Sequence, residues 1–133
     1  MEAELAQAVI LDHDANPRNF GELADATHSA GGYNPLCGDK YTVWARVEAG
    51  VVRAVHFHGF GCALSKASAS MMTEAARGVP VEALPSMRSR LFDAAPTEDL
   101  LALVAVKDQP TRARCALLAW HALERAVASP VGE

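Results

Sequence analysis

Three cysteines and one aspartate hold most of the chemistry available to this sequence. Cys37 and Asp39 stand two residues apart in Asn34-Pro35-Leu36-Cys37-Gly38-Asp39. Proline and glycine make that stretch a tight loop, so a bent backbone can turn both side chains toward one ion. Cys62 lies in Gly59-Phe60-Gly61-Cys62-Ala63, between an extended stretch and a helix. The glycines leave backbone N–H groups free to turn toward a sulfur, and a helix start favours negative charge. Cys115 falls in the first turns of the last helix, flanked by Arg112 and Arg114, cations that favour a thiolate. Three thiolates and a carboxylate make a tetrahedral zinc site, and thiolates also suit iron–sulfur clusters. No Cys-x-x-Cys pair occurs, which separates the pattern from an ordinary zinc finger. A free cysteine is also a small apolar core residue. The residues alone therefore leave two readings open, one shared metal site or three scattered thiols.

The surrounding composition narrows the setting. The chain has 133 residues, half of them apolar, which fits one domain over 1–133 with a core of its own. Twelve basic against 16 acidic residues give a net charge of −4, which argues against a nucleic-acid partner. No apolar run reaches the roughly 20 residues a membrane span needs. The start Met1-Glu2-Ala3-Glu4 is acidic and unlike a secretory signal, so a cytoplasmic location is expected. Three cysteines are too few, and odd in number, for a secreted disulfide scaffold.

Several elements must position the four residues. Residues 2–14 read as a short amphipathic helix ended before Pro17. His28 to Asn34 reads as an irregular edge strand. Tyr41–Glu48 and Val51–His58 alternate around Ala49-Gly50 and predict a hairpin, with Val43 and Val47 on one face and Thr42 and Trp44 on the other. Gly59-Phe60-Gly61 breaks the second strand. Ser65 reads as the N-cap of a helix running to about Arg77 and stopped by Gly78. Its small residues Ala67 to Ser70 invite close approach by another backbone. Residues 79–96, with Pro80, Pro85 and Pro96, read as irregular with a short helix near Ser86–Phe92. Thr97 starts a further helix, and the last begins at Pro110 or Thr111.

Three segments together resemble the U-type family of iron–sulfur assembly proteins: IscU, SufU and the N-terminal domain of NifU. They are Asn34 to Asp39; Gly59-Phe60-Gly61-Cys62-Ala63-Leu64-Ser65-Lys66-Ala67-Ser68-Ala69-Ser70-Met71-Met72; and Arg114-Cys115-Ala116-Leu117-Leu118-Ala119-Trp120. Asp12-His13 and Asn16-Pro17-Arg18-Asn19-Phe20-Gly21 add to the likeness. The resemblance implies an α+β fold of the SufE/NifU-like type, a three-stranded antiparallel sheet with helices packed against it. It implies the ligand set Cys37, Asp39, Cys62 and Cys115. Within the family this chain departs from IscU in three places. It has Arg114 where IscU has a histidine, Lys107-Asp108-Gln109-Pro110-Thr111 where IscU has its chaperone-binding stretch, and extra length around residues 79–96. These features resemble the SufU branch. That branch implies zinc, a SufS-type cysteine desulfurase and other assembly proteins as partners, and a zinc-dependent sulfurtransferase role as a sulfur relay. Cys37, in the most mobile loop, is then the expected sulfur acceptor, with Arg114 stabilising the thiolate or persulfide. The alternative within the family is a scaffold on which Cys37, Cys62 and Cys115 hold iron or a [2Fe–2S] cluster.

Two other classes compete. A purely structural zinc module is one, although the chain is long enough to build a core without metal. A Cys–His hydrolase is the other, drawing on His13, His28, His56, His58 or His121. His56 and His58 share a strand face and read as solvent-facing polar positions, and His121 as an exposed helix residue. His13 reads as a helix-end residue or a partner contact. Met71, Met72, Trp44 and Trp120 read as packing, Arg88-Ser89-Arg90 as a solvated patch, and Leu36 and Phe60 as exposed apolar residues beside the site.

Overall fold

The computed structural model describes residues 1–35, 37–93 and 98–128. Leu36, and Pro96 and Thr97 where a further helix was expected to start, lie outside the described residues. Helix α1 spans Ala3–Ala15 and stops at Asn16, ahead of Pro17. Strands β1 (His28–Asn34), β2 (Asp39–Glu48) and β3 (Val51–Phe60) follow, then helix α2 (Ala63–Ala75). A 3-10 turn at Val81–Ala83 leads into the short helix α3 (Leu84–Ser89). A 3-10 stretch at Asp99–Val106 precedes the long helix α4 (Pro110–Ala128).

The three strands form one antiparallel sheet in the order β1-β2-β3. The β2–β3 connection is two residues long, with φ of +52° at Ala49 and +74° at Gly50. Two left-handed residues are what a type I′ turn requires, and its twist matches that of the strands it joins. Tyr41, Val43 and Ala45 of β2 face the core with Val55 and Phe57 of β3. Val47 does not share the full burial of Val43 that alternation suggested, and stays half-buried. The register slips between Arg46 and Val47, and an extra residue in one strand rotates whatever follows.

Helices α2 and α4 cover the inner face. The small residues of α2 allow the close approach expected of them: the Ser68 hydroxyl donates to the Ala116 carbonyl and accepts from Trp120 Nε1 at 3.1 Å. Trp120, Met71 and Met72 are fully buried, as packing residues should be. Helix α2 starts three residues earlier than expected. Cys62 is its N-cap, its sulfur accepting from the Ser65 N–H, and Ser65 sits inside the first turn. The segment after α2 clips to the sheet, with Val52 N–H donating to Val79 O and Gly78 N–H to Val52 O. It thereby covers part of the β3 edge, which would otherwise be open to pairing.

Two surface readings are corrected. His13 is neither a plain helix end nor available for docking, because it is fully buried. Its Nδ1 lies 2.7 Å from Ser70 Oγ and its Nε2 2.8 Å from Asp99 Oδ2, tying α1 to α2 and to the 3-10 stretch. Arg88 is not simply solvated. Its guanidinium pairs with Glu124 across α3 and α4.

Candidate metal centre

The site lies where the β1–β2 loop, the start of α2 and the start of α4 meet. The loop folds back on Asn34, whose carbonyl accepts from Gly38 N–H at 2.8 Å and from Cys37 N–H at 3.3 Å. That turn leaves Cys37 exposed and delivers Asp39, the first residue of β2, into the interior with no exposed surface. Cys115, on the inner side of α4, is buried. Cys37 Sγ lies 3.3 Å from Cys115 Sγ, and Asn34 Nδ2 donates to Cys115 Sγ at 3.6 Å. Donor atoms of Cys37, Asp39 and Cys115 all fall within 4.8 Å of one another.

Cys62 joins this group through its backbone. Its N–H donates to Asp39 Oδ1 at 2.9 Å, while its sulfur accepts from Ser65 N–H at 3.4 Å at the head of α2. Three of the four sequence-derived ligands therefore converge through their side chains. The fourth borders them, with its sulfur outside that 4.8 Å cluster. Glycines make this crowding feasible. A Cβ on Gly61 would lie 2.6 Å from each of Asp39 Oδ1, Ser65 Oγ and Tyr41 Oη, and one on Gly59 would collide with the Lys40 carbonyl.

The electrostatics favour a cation. Asp39 Oδ2 is buried and has no hydrogen-bond partner. An unpaired buried carboxylate oxygen is costly, and a metal ion is the partner that two thiols and a carboxylate fit. Burial pushes the Cys115 thiol well above its usual range, and the neighbouring Cys37, Cys62 and Asp39 side chains add to this. Flanking Arg112 and Arg114 do not reverse it, contrary to expectation, because both are exposed while the sulfur is desolvated. Burial likewise raises Tyr41 to about 12, against the opposing effect of its hydrogen bond with Ser65.

Arg114 lines a surface pocket with Tyr33, Asn34, Pro35, Leu117, Leu118 and His121. That pocket shares Asn34 and Pro35 with the Cys37 loop, and Arg114 is exposed. Phe60 is 64% exposed at the end of β3, in line with an apolar rim. His58 is exposed, its ring centroid 4.9 Å from that of Phe20, and His56 is half-buried on the outer face opposite Trp44. His13, Glu74 and Asp99 form a second group of close donors, but both His13 ring nitrogens are already engaged. Tyr41, Ser65 and Asn34 were missed as neighbours of the site. Only the three-residue spacing from Cys62 to Ser65, a capping distance, could have signalled one of them.

The family described as the NifU-like N terminal domain matches residues 5–130. The zinc-dependent sulfurtransferase SufU of Bacillus subtilis (strain 168) is 39% identical over 138 residues, covering 96% of this chain and 92% of that protein. The iron–sulfur cluster assembly scaffold protein IscU of Thermotoga maritima is 39% identical over 127 residues, covering 89% of each. Among solved structures, an iron–sulfur cluster assembly scaffold protein for the SUF system from Fervidobacterium islandicum AW-1 superposes with a TM-score of 0.80 at 27% identity. It covers 90% of this chain and 93% of that one. Among the described residues, no helix is long and apolar enough to cross a membrane.

Proposed function

This chain belongs to the NifU-like N-terminal domain family, and from that membership we propose that it serves iron–sulfur cluster assembly as a zinc-bound acceptor of persulfide sulfur. The observation that supports the proposal is the convergence of Cys37, Asp39 and Cys115, together with a buried Asp39 oxygen, Oδ2, that has no hydrogen-bond partner. Cys37, Asp39, Cys62 and Cys115 would hold the ion, whose charge keeps bound thiolates ionised near neutral pH.

Cys37 is the acceptor in this reading: Cys37 and Cys62 are both exposed, but the Cys62 sulfur is tied to the head of α2 by the Ser65 N–H, whereas Cys37 lies on a loop closed by glycine. Its thiolate attacks the outer sulfur of a persulfide on the donor. The donor's S–S bond breaks, the donor cysteine leaves as thiolate, and Cys37 becomes the persulfide. Electrons balance without an external oxidant. A SufS-type cysteine desulfurase is the donor that fits, with exposed Phe60 as an apolar contact at the rim. Arg114 supplies a cation one residue from Cys115, where it would favour the anionic persulfide.

The test is transfer of labelled sulfur from a desulfurase, with zinc measured in the same sample. The Cys37→Ala variant should accept none, and transfer at the normal rate would remove Cys37 from the role. A second reading, supported by the 39% identity to a named scaffold, is assembly of a [2Fe–2S] cluster on the same thiols. A brown protein with a cluster absorption spectrum and no tight zinc would select it.

A further inference from the structure

Two side chains that belong to no ligand set meet the candidate ligands at Gly61. Ser65 is 1% exposed, yet its hydroxyl has three neighbours: the Cys62 carbonyl at 3.0 Å, Tyr41 Oη at 3.0 Å and Cys62 Sγ at 3.6 Å. Its backbone N–H donates to the same sulfur at 3.4 Å. Tyr41 is also 1% exposed, held in the sheet against Phe57. The Ser65 hydroxyl donates to the Cys62 carbonyl and accepts from the Cys62 thiol, with the Tyr41 hydroxyl as its third partner.

We infer that Ser65, braced by Tyr41, is the positioning residue for the Cys62 sulfur. Cys62 in turn orients Asp39 through its N–H. A hydroxyl suits this place because it serves a sulfur in both of its forms, accepting from a thiol and donating to a thiolate. An N–H at a helix start adds a second donor fixed by the backbone. Ser65 thus sets where the Cys62 sulfur lies, and the Cys62 backbone sets where the Asp39 carboxylate lies. The two ligands move together, and Gly61 is the gap that lets the assembly close. Groups in this relation to a metal site orient its ligands, and losing one commonly costs about 10- to 100-fold in metal affinity. The inference rests on the metal-holding reading above.

The test uses the full chain and zinc(II) alone, with affinity measured by competition against a chromophoric chelator. Ser65→Ala should bind zinc about 10-fold more weakly or worse. Ser65→Thr, which keeps the hydroxyl, should restore most of the loss, and Tyr41→Phe should fall between. Ser68→Ala is the structural control, since Ser68 is another buried α2 serine, whose two hydrogen bonds go to the Ala116 carbonyl and Trp120 Nε1 and none to a sulfur or to Asp39. It should lower the melting temperature and leave zinc affinity unchanged. Wild-type affinity in Ser65→Ala, or equal losses in Ser65→Ala and Ser68→Ala, would overturn the positioning role while leaving the metal centre intact. Unchanged affinity in Cys37→Ala and Cys115→Ala would instead overturn the metal reading and the inference with it.

Discussion

Asp39→Asn separates the demands of folding from those of metal binding at a single atom. Asp39 is fully buried, its Oδ1 accepts from Cys62 N–H at 2.9 Å, and its Oδ2 has no partner. Leaving such an atom unpaired costs about 1–3 kcal/mol, and more for a charged group. Asparagine keeps the shape and the Oδ1 acceptor. Its Nδ2 takes the place of Oδ2 as a neutral group, in a side chain that clusters with the Cys37 and Cys115 sulfurs. The zinc-free variant should therefore be more stable than wild type by about 1–2 kcal/mol, or roughly 3–8 °C in melting temperature for a chain of this size. Zinc should then help it less. At 100 times its Kd, zinc adds about 2.7 kcal/mol to a protein that binds it only when folded. A tenfold loss of affinity removes about 1.4 kcal/mol of that. Melting curves of both proteins, with chelator and with zinc, measure both quantities. A zinc-free variant that melts below wild type, combined with an undiminished zinc increment, would refute the idea that Oδ2 waits for a cation.

Three further outcomes follow from other parts of the molecule. Ala49 adopts a left-handed conformation in an exposed type I′ turn, and asparagine tolerates that region better; Ala49→Asn should stabilise the fold by about 0.5–1 kcal/mol, read by urea denaturation. His13→Ala breaks the buried contacts to Ser70 and Asp99 and should cost about 2–4 kcal/mol, while zinc affinity per folded molecule stays constant. Burial first, and then the positive charge of Arg88, lower the pKa of His121. Its neutral form is favoured in the fold, so its contribution is present above the free-histidine value near 6.5 and is lost as pH falls through the lowered one. Proton NMR should place the His121 midpoint below that of free histidine, and His121→Gln should flatten the decline in stability over that window.

The hairpin and the helices α1, α2 and α4 were legible because period-2 and period-3.6 patterns are local. The stretch expected as a helix after Thr97 is a 3-10 stretch at Asp99–Val106, and the short helix expected near Ser86–Phe92 is Leu84–Ser89. What sequence could not show depends on contacts between distant residues. Val47 departs from its expected face because a slip at Arg46 leaves no mark in residue type. His13 looked like a helix end, yet its partners lie 57 and 86 residues away. Arg114 precedes Cys115 directly, and consecutive residues on a helix point about 100° apart; Arg112, nearly a turn earlier, is exposed at the helix start. The arginines can thus reach water while the sulfur is buried, and desolvation decides the outcome. At α2, Cys62 and Ser65 are both capable caps. The choice goes to Cys62 because its sulfur takes the Ser65 N–H while its own N–H takes Asp39. The convergence of Cys37 with Cys115 was foreseeable only through likeness to a family, since 78 residues separate them. In each instance the residue types were right and the deciding term was burial or tertiary pairing. The Cys62–Ser65–Asp39 arrangement follows the same logic: a helix cap and a ligand carboxylate share one residue, so the helix cannot shift without moving the candidate metal centre.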